Sequence, residues 1–255
     1  PTQYESPPGY YSPTGSSAPL SCEPGTYNNE YAQSSCFDCV AGRYSSNRSA
    51  TSCTNCPRGY YCPEGTDVPN RCPAGRFGDS KKLVSEWECT NCTAGHYCEY
   101  SGKTEPTGEC EAGYYCTGGA KLGTGFDDEP WGGKCPAGHY CLVGSSLPTA
   151  CPKGTYNDAT ANQGLWTSSL SNVTTFCELC PPGYACDATG LDTYTGTECA
   201  AGYYCTLGSP SAPPNAANCD PDQCDAGICP KGHYCPINTD YPILCPEGTF
   251  MNSTG

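Results

Sequence analysis

The chain has 255 residues with a formal net charge of −14, and its 25 Cys, 31 Gly, 25 Pro and 20 Tyr stand against only 24 Leu, Ile, Val and Phe. That is too little aliphatic material for an ordinary core, so the composition predicts a loop-rich scaffold held by disulfides in an oxidising, extracellular or secretory compartment. The acidic field speaks against nucleic acid and anionic membrane as partners, and no apolar run reaches the roughly 18 residues that direct membrane insertion needs.

One phrase recurs along the whole chain. Among the cysteines followed by xxG, twelve open the phrase: Cys22, Cys39, Cys56, Cys72, Cys92, Cys110, Cys135, Cys151, Cys180, Cys199, Cys229 and Cys245. In all but CPPGYA at Cys180, the residue five after the Cys is Tyr or Phe. Each copy is predicted to be a turn with two very short strands, because the Gly permits a left-handed backbone and the paired aromatics favour an extended one. Small disulfide-rich modules of β-hairpin type, with little other regular structure, are the expected fold class. Tandem repeats of this kind touch mainly their neighbours, so an elongated rod is expected.

Residues 1–55 form a partial first block. It begins with SPPGYYS, in which Ser6 and Ser12 stand where GYY copies elsewhere carry cysteines. Two long modules follow, closing at the first Cys of a CxxC as Cys22/Cys36 and Cys39/Cys53. Residues 56–134 form a second block with the order short, long, short, short: Cys56/Cys62, Cys72/Cys89, Cys92/Cys98 and Cys110/Cys116. The short modules are Cx5C loops. Residues 135–228 repeat that order with Cys135/Cys141, Cys151/Cys177, Cys180/Cys186 and Cys199/Cys205, and end on Cys219/Cys224, which lacks the Gly-aromatic signature. Residues 229–255 begin a fourth block with Cys229/Cys235. Sequential pairing leaves Cys245, whose partner is expected beyond residue 255; with no initiator Met or signal peptide, the chain reads as a mature segment of something longer. Loss of both Ser6 and Ser12 positions as cysteines fits this pairing, since removing one bridge whole orphans nothing. A Pro also recurs three residues before an opening Cys, at Pro19, Pro69, Pro148 and Pro242.

Candidate chemistry is sparse. His96, His139 and His233 share one repeat slot with Tyr60, Tyr114 and Tyr203, which marks the slot as structural. No nucleophile stands beside a base, and no phosphate or dinucleotide fingerprint is present, so no catalytic residue and no cofactor is assigned. CFDC and CTNC at 36–39 and 53–56 approach a zinc-ribbon spacing, but zinc needs free thiolates and would leave the Cx5C loops unexplained. Asp220, Asp222 and Asp225 lack an EF-hand frame and read as a solvated loop, so no metal is assigned. The insert FDDEPWGG, with Asp127, Asp128, Glu129 and Trp131, reads as an exposed loop or contact patch. Four sequons, at Asn47, Asn91, Asn172 and Asn252, are candidate attachment points for N-linked glycans.

CPAGRF, CPKGTY and CEPGTY leading to a CxxC resemble the cysteine-rich repeats called ephrin-receptor-like, which are similar to the first half-module of tumour necrosis factor receptor repeats. The resemblance covers nearly the whole chain and implies consecutive bridges within modules. The crossed second half-module of those receptors is missing, so their ligand-binding loops do not transfer. Tandem GYYC phrases also resemble surface proteins of unicellular eukaryotes, including those of flagellar hairs (mastigonemes). Two function classes follow. One is a non-enzymatic building element of an extracellular filament, hair or coat, self-associating through exposed Tyr, Trp87, Trp131 and Trp166. The other is the stalk or ligand-binding ectodomain of a receptor or adhesion protein.

Overall fold

A computed structural model describes residues 3–124, 130–160, 166–167, 174–175, 177–211 and 226–255. Among them the only helix is one short 3-10 turn, Glu86–Glu88, and the strands pair into twelve antiparallel two-stranded sheets. The chain divides into two compact units, one of Pro1–Glu109 with Cys116–Gly123 and one of Cys110–Tyr115 with Thr124–Gly255.

Each module starts with a tight turn. The backbone N–H four residues after the opener donates to the carbonyl one residue after it, as in Arg43 to Val40 (3.0 Å) and Thr155 to Pro152 (3.2 Å). The motif glycine sits at positive φ, +85° at Gly25 and +83° at Gly42, where a side chain is strained. The two residues after that glycine, usually aromatic at the second, form the first strand. They pair with the two residues just before the next opener: Tyr44 faces Thr54, Tyr61 faces Asn70 and Phe77 faces Thr90. A hairpin thus sews each module to the start of the following one. The module of Cys180, where Ala185 replaces the second aromatic, keeps only a single bridge between Tyr184 and Glu198.

Twenty-two described cysteines are disulfide-bonded. The short bridges, each spanning six positions, join Cys56 with Cys62, Cys92 with Cys98 and Cys135 with Cys141. Three more of the same span join Cys180 with Cys186, Cys199 with Cys205 and Cys229 with Cys235. The long ones join Cys22 with Cys36, Cys39 with Cys53, Cys72 with Cys89 and Cys151 with Cys177. Apart from Cys235, which is 7% exposed, the closing cysteines of the second unit's bridges, Cys141, Cys177, Cys186 and Cys205, are wholly buried, so sulfur forms the interior there. Cys110 and Cys116 are the remaining bonded residues, Cys245 is a free thiol, and Cys219 and Cys224 lie outside the described residues.

The hairpin register explains why two bridge types coexist. One step beyond Tyr44–Thr54 the register sets Ser45 opposite Cys53, and one step beyond Tyr61–Asn70 it sets Cys62 opposite Pro69. An opening Cys therefore bonds to one or the other member of a single cross-strand pair, and short and long modules are the same fold with the partner moved across the hairpin.

Where the cysteine is absent from the near side of that pair, other residues fill the place. Asn28 is fully buried, donating from Nδ2 to the Tyr10 carbonyl at 2.6 Å and accepting from the Glu30 N–H at 3.0 Å. Asn157 does the same toward His139 and Ala159, at 2.8 and 3.2 Å. Gly78 fills it in the module of Cys72, where a Cβ would stand 2.9 Å from the Gly59 nitrogen. The unbridged first copy keeps its shape: Gly9 has φ +85°, the Tyr10 N–H donates to the Pro7 carbonyl at 3.0 Å, and Ser6 is buried.

Contacts between modules run further than the nearest neighbour, which corrects the expectation from sequence. To its neighbour, each motif glycine donates its N–H, as a rule to the residue six past the next opener: Gly25 to Ser45 (2.7 Å), Gly42 to Cys62 (2.8 Å), Gly154 to Cys186 (2.8 Å). Its Cα face meets the module after that. A Cβ on Gly42 would stand 2.7 Å from the Lys82 carbonyl oxygen, and Gly25, Gly59, Gly138 and Gly154 are covered in the same way by Gly65, Gly102, Gly190 and Gly208. The covering residue is itself left-handed, and its N–H is spent on an opener's carbonyl, as in Lys82 to Cys56 (3.0 Å) and Ser49 to Cys22 (2.9 Å). Within each unit, alternate modules are thus stacked on one another mainly through backbone. Aromatics add to this. Tyr61 packs on Cys72, Leu83 and Cys89, and Phe77 on Cys92 and Cys98, so each covers the following module's bridge.

Candidate functional site

The core is made of sulfur and turn backbone, so function has to be sought among the side chains that project from it. The three histidines do not come together. Each ring turns back on its own turn: His96, His139 and His233 place Nδ1 at 3.4, 3.1 and 3.2 Å from the carbonyl two residues earlier. Among the described residues, no group of three or more His, Cys, Asp or Glu could hold a metal ion. The cysteines of CFDC and CTNC belong to three different bridges, with Cys36 bonded to Cys22, Cys39 to Cys53 and Cys56 to Cys62, which removes the thiolates that zinc would need. Asp127, Asp128, Glu129, Asn172, Asp220, Asp222 and Asp225 lie outside the described residues. No helix among the described residues is long and apolar enough to cross a membrane.

Most repeat tyrosines are half-buried in their hairpins and are poor contact surfaces. Tyr156 shows the electrostatic consequence. Burial, followed by a hydrogen bond to the Glu178 carboxylate across its strand pair, pushes its phenol well above the ordinary tyrosine range. Tyr194 stands edge-on to both Tyr156 and Tyr184 at 5.0 Å. Outside the hairpins, Tyr4, Tyr31, Tyr100, Trp87 and Trp131 are exposed; nothing is described of the Trp166 side chain.

A second exposed set follows the repeat itself. Val68, Leu147 and Tyr241 are 64, 65 and 64% exposed, and each precedes a recurrent proline, Pro69, Pro148 or Pro242. They occupy the same place in modules four apart, so the block duplication displays one apolar tooth per block. The signal was available in sequence as an apolar residue before each of those prolines, Ala18 included.

Asn47, Asn91 and Asn252 are all exposed. Asn47 sits at a bend, where Ser45 Oγ donates to the Asn47 carbonyl at 3.3 Å, and Arg48 beside it pairs with Glu23 at 2.8 Å. Asn91 lies on a strand, paired with Arg76. The Arg76 guanidinium carbon stands 5.4 Å from the centroid of the Trp87 ring and Nη1 donates to the Glu86 carbonyl at 3.2 Å, a stack that no spacing in the sequence announces.

No protein-family model matches this chain, and no curated protein matches it. What the molecule establishes is a cysteine-rich tandem-module protein whose disulfide pattern fits an extracellular structural or receptor-like segment.

Proposed function

We propose that this chain is a non-enzymatic structural segment of an extracellular glycoprotein, built to assemble with further copies or with other extracellular structural proteins into a filament, hair or surface coat. The supporting observation is the division of labour in each module. Bridges close each module while glycine faces and turn carbonyls hold modules to one another, and side chains such as Val68, Leu147 and Tyr241 are left projecting at equivalent places. A scaffold that repeats an identical exposed feature at block spacing suits assembly, because equivalent surfaces meet equivalent surfaces. The likeness of the tandem GYYC phrases to flagellar-hair proteins points the same way.

The reading includes N-linked glycans on exposed sequons, with no metal, cofactor, nucleic acid or inserted membrane segment in the role. The second reading, a stalk or ligand-binding ectodomain of a receptor or adhesion protein, draws on the same disulfide pattern and on the receptor-like character of the repeat. Negative-stain microscopy of the native full-length product separates the two. Helical or laterally registered fibres are expected; isolated monomers tethered to membrane would overturn the proposal in favour of the second reading.

A further inference from the structure

The chain contains two copies of one hairpin that share an arginine and a CTNC and differ, among other positions, at two that change together. In the module of Cys39, Arg43 pairs across the hairpin with Asn55 inside CTNC; in the module of Cys72, Arg76 pairs with Asn91 inside the same tetrapeptide. Both asparagines are exposed. Two positions before the closing cysteine, the first copy has Thr51 and the second has Trp87. Two positions after the asparagine, the first has Pro57, which is not an acceptor pattern, and the second has Thr93, which completes N-C-T. An exposed tryptophan and a sequon at the hairpin asparagine therefore occur together in one copy, and neither stands at its matching place in the other, whose sequon, Asn47, lies elsewhere in the loop.

Geometry connects them. Directly opposed residues of an antiparallel pair send their side chains to the same face, so Asn91 and Arg76 share one. The Arg76 guanidinium then lies over the Trp87 ring at 5.4 Å, leaving the ring 82% exposed. Asn91 and Trp87 are thus the two ends of one arginine side chain. An indole this open is an apolar surface in search of a cover, and the C–H face of a pyranose is a cover that also keeps its hydroxyls in water. Cys92, the middle residue of the sequon, is bonded to Cys98, and the Asn91 side chain remains exposed with that bridge closed.

We propose that Asn91 carries an N-linked glycan whose first one or two sugars lie against the Trp87 ring. Attachment joins the Asn91 amide nitrogen to the anomeric carbon of an oligosaccharide donated from a polyprenyl pyrophosphate. The lipid pyrophosphate departs, and the amide proton passes to a base of the transferase. The inference rests on the extracellular reading above and not on assembly.

The test uses the full chain secreted from a eukaryotic host in a W131F/W166F background, where Trp87 is the single indole, with W87T and T93A made alongside. W87T installs the residue of the sister copy, and Thr93 is an exposed side chain whose loss removes only the acceptor pattern. Glycopeptide mass spectrometry is expected to find Asn91 occupied. Acrylamide quenching of Trp87 is expected to rise about twofold when peptide N-glycosidase removes the sugar, because a glycan shields one ring face. T93A should quench like the deglycosylated chain, and W87T should keep its glycan but carry it in a more processed form. Asn91 empty while Asn47, Asn172 or Asn252 is occupied overturns this inference alone. All four empty overturns the glycoprotein reading with it, and an occupied Asn91 with unchanged Trp87 quenching overturns the stacking.

Discussion

At the scale of the residue, the motif glycine meets two separate demands, and substitutions can separate them. Gly15, in a loop, has φ +81° with nothing within 4 Å of a Cβ position. Gly25 has φ +85° and is also covered by the Gly65 carbonyl. Gly15→Ala should therefore cost about 1 kcal/mol, the strain of a left-handed alanine. Gly25→Ala should add about 1–3 kcal/mol for pushing two modules apart. Thermal unfolding of the secreted variants checks this: the Gly25 variant is expected to lose markedly more, and equal losses would show that the close approach carries no energy. Ala32, Ser49, Lys82 and Asn238 share a reason to accept positive φ without being glycine. Each spends its N–H on an opener's carbonyl in the preceding module, Ala32 on Ser6 (the opener in the unbridged copy) at 2.9 Å and Asn238 on Cys199 at 2.9 Å, and that hydrogen bond offsets the local strain.

At the scale of the element, the hairpin makes the position of a bridge interchangeable. Asn28 and Cys36 are opposed one step past the Tyr27–Phe37 pair, and Cys22 bonds to the far one. The double change Asn28→Cys with Cys36→Ser should convert this long module to a short one, with peptide mapping without reduction recovering a 22/28 bridge in a folded, secreted chain. A scrambled or unsecreted product would mean that the two sites are not equivalent. This equivalence was hidden from sequence. Cx5C and Cx13C differ by eight positions in the chain, and only the register brings them together. The openers, the glycine and the strand pair were legible, because they are written as residue types at fixed spacing. The stacking of alternate modules was not, since the covering residue is Gly in some copies and Lys82 or Ser49 in others, and what it contributes is a carbonyl that every residue has. Trp87 was legible as an exposed aromatic but not as Arg76's partner, because its distance from Arg76 in sequence carries no periodicity.

At the scale of the whole molecule, charge is unevenly shared. The first unit has nine basic and twelve acidic residues and the second three and fourteen, so the second carries 11 of the 14 net negative charges. Copies brought together through apolar teeth such as Leu147 and Tyr241 must overcome this repulsion, which salt screens to a length of roughly 10 Å at 0.1 M. Sedimentation of the native product at 10 and 200 mM NaCl should show association strengthening with salt. Weakening would mean that the contacts are ionic and that the exposed apolar residues do not make them. The bridges also govern how the chain answers a pull on its ends. Tension can run straight through each sealed loop, entering at one sulfur and leaving at the other across a Cα separation of 5.7–5.9 Å, so that a span of 14 positions at Cys39 and of 26 at Cys151 is withheld from stretching. Such a thread lengthens by small steps as the glycine clasps let go, and holds its remaining slack behind covalent stops until a reductant reaches them.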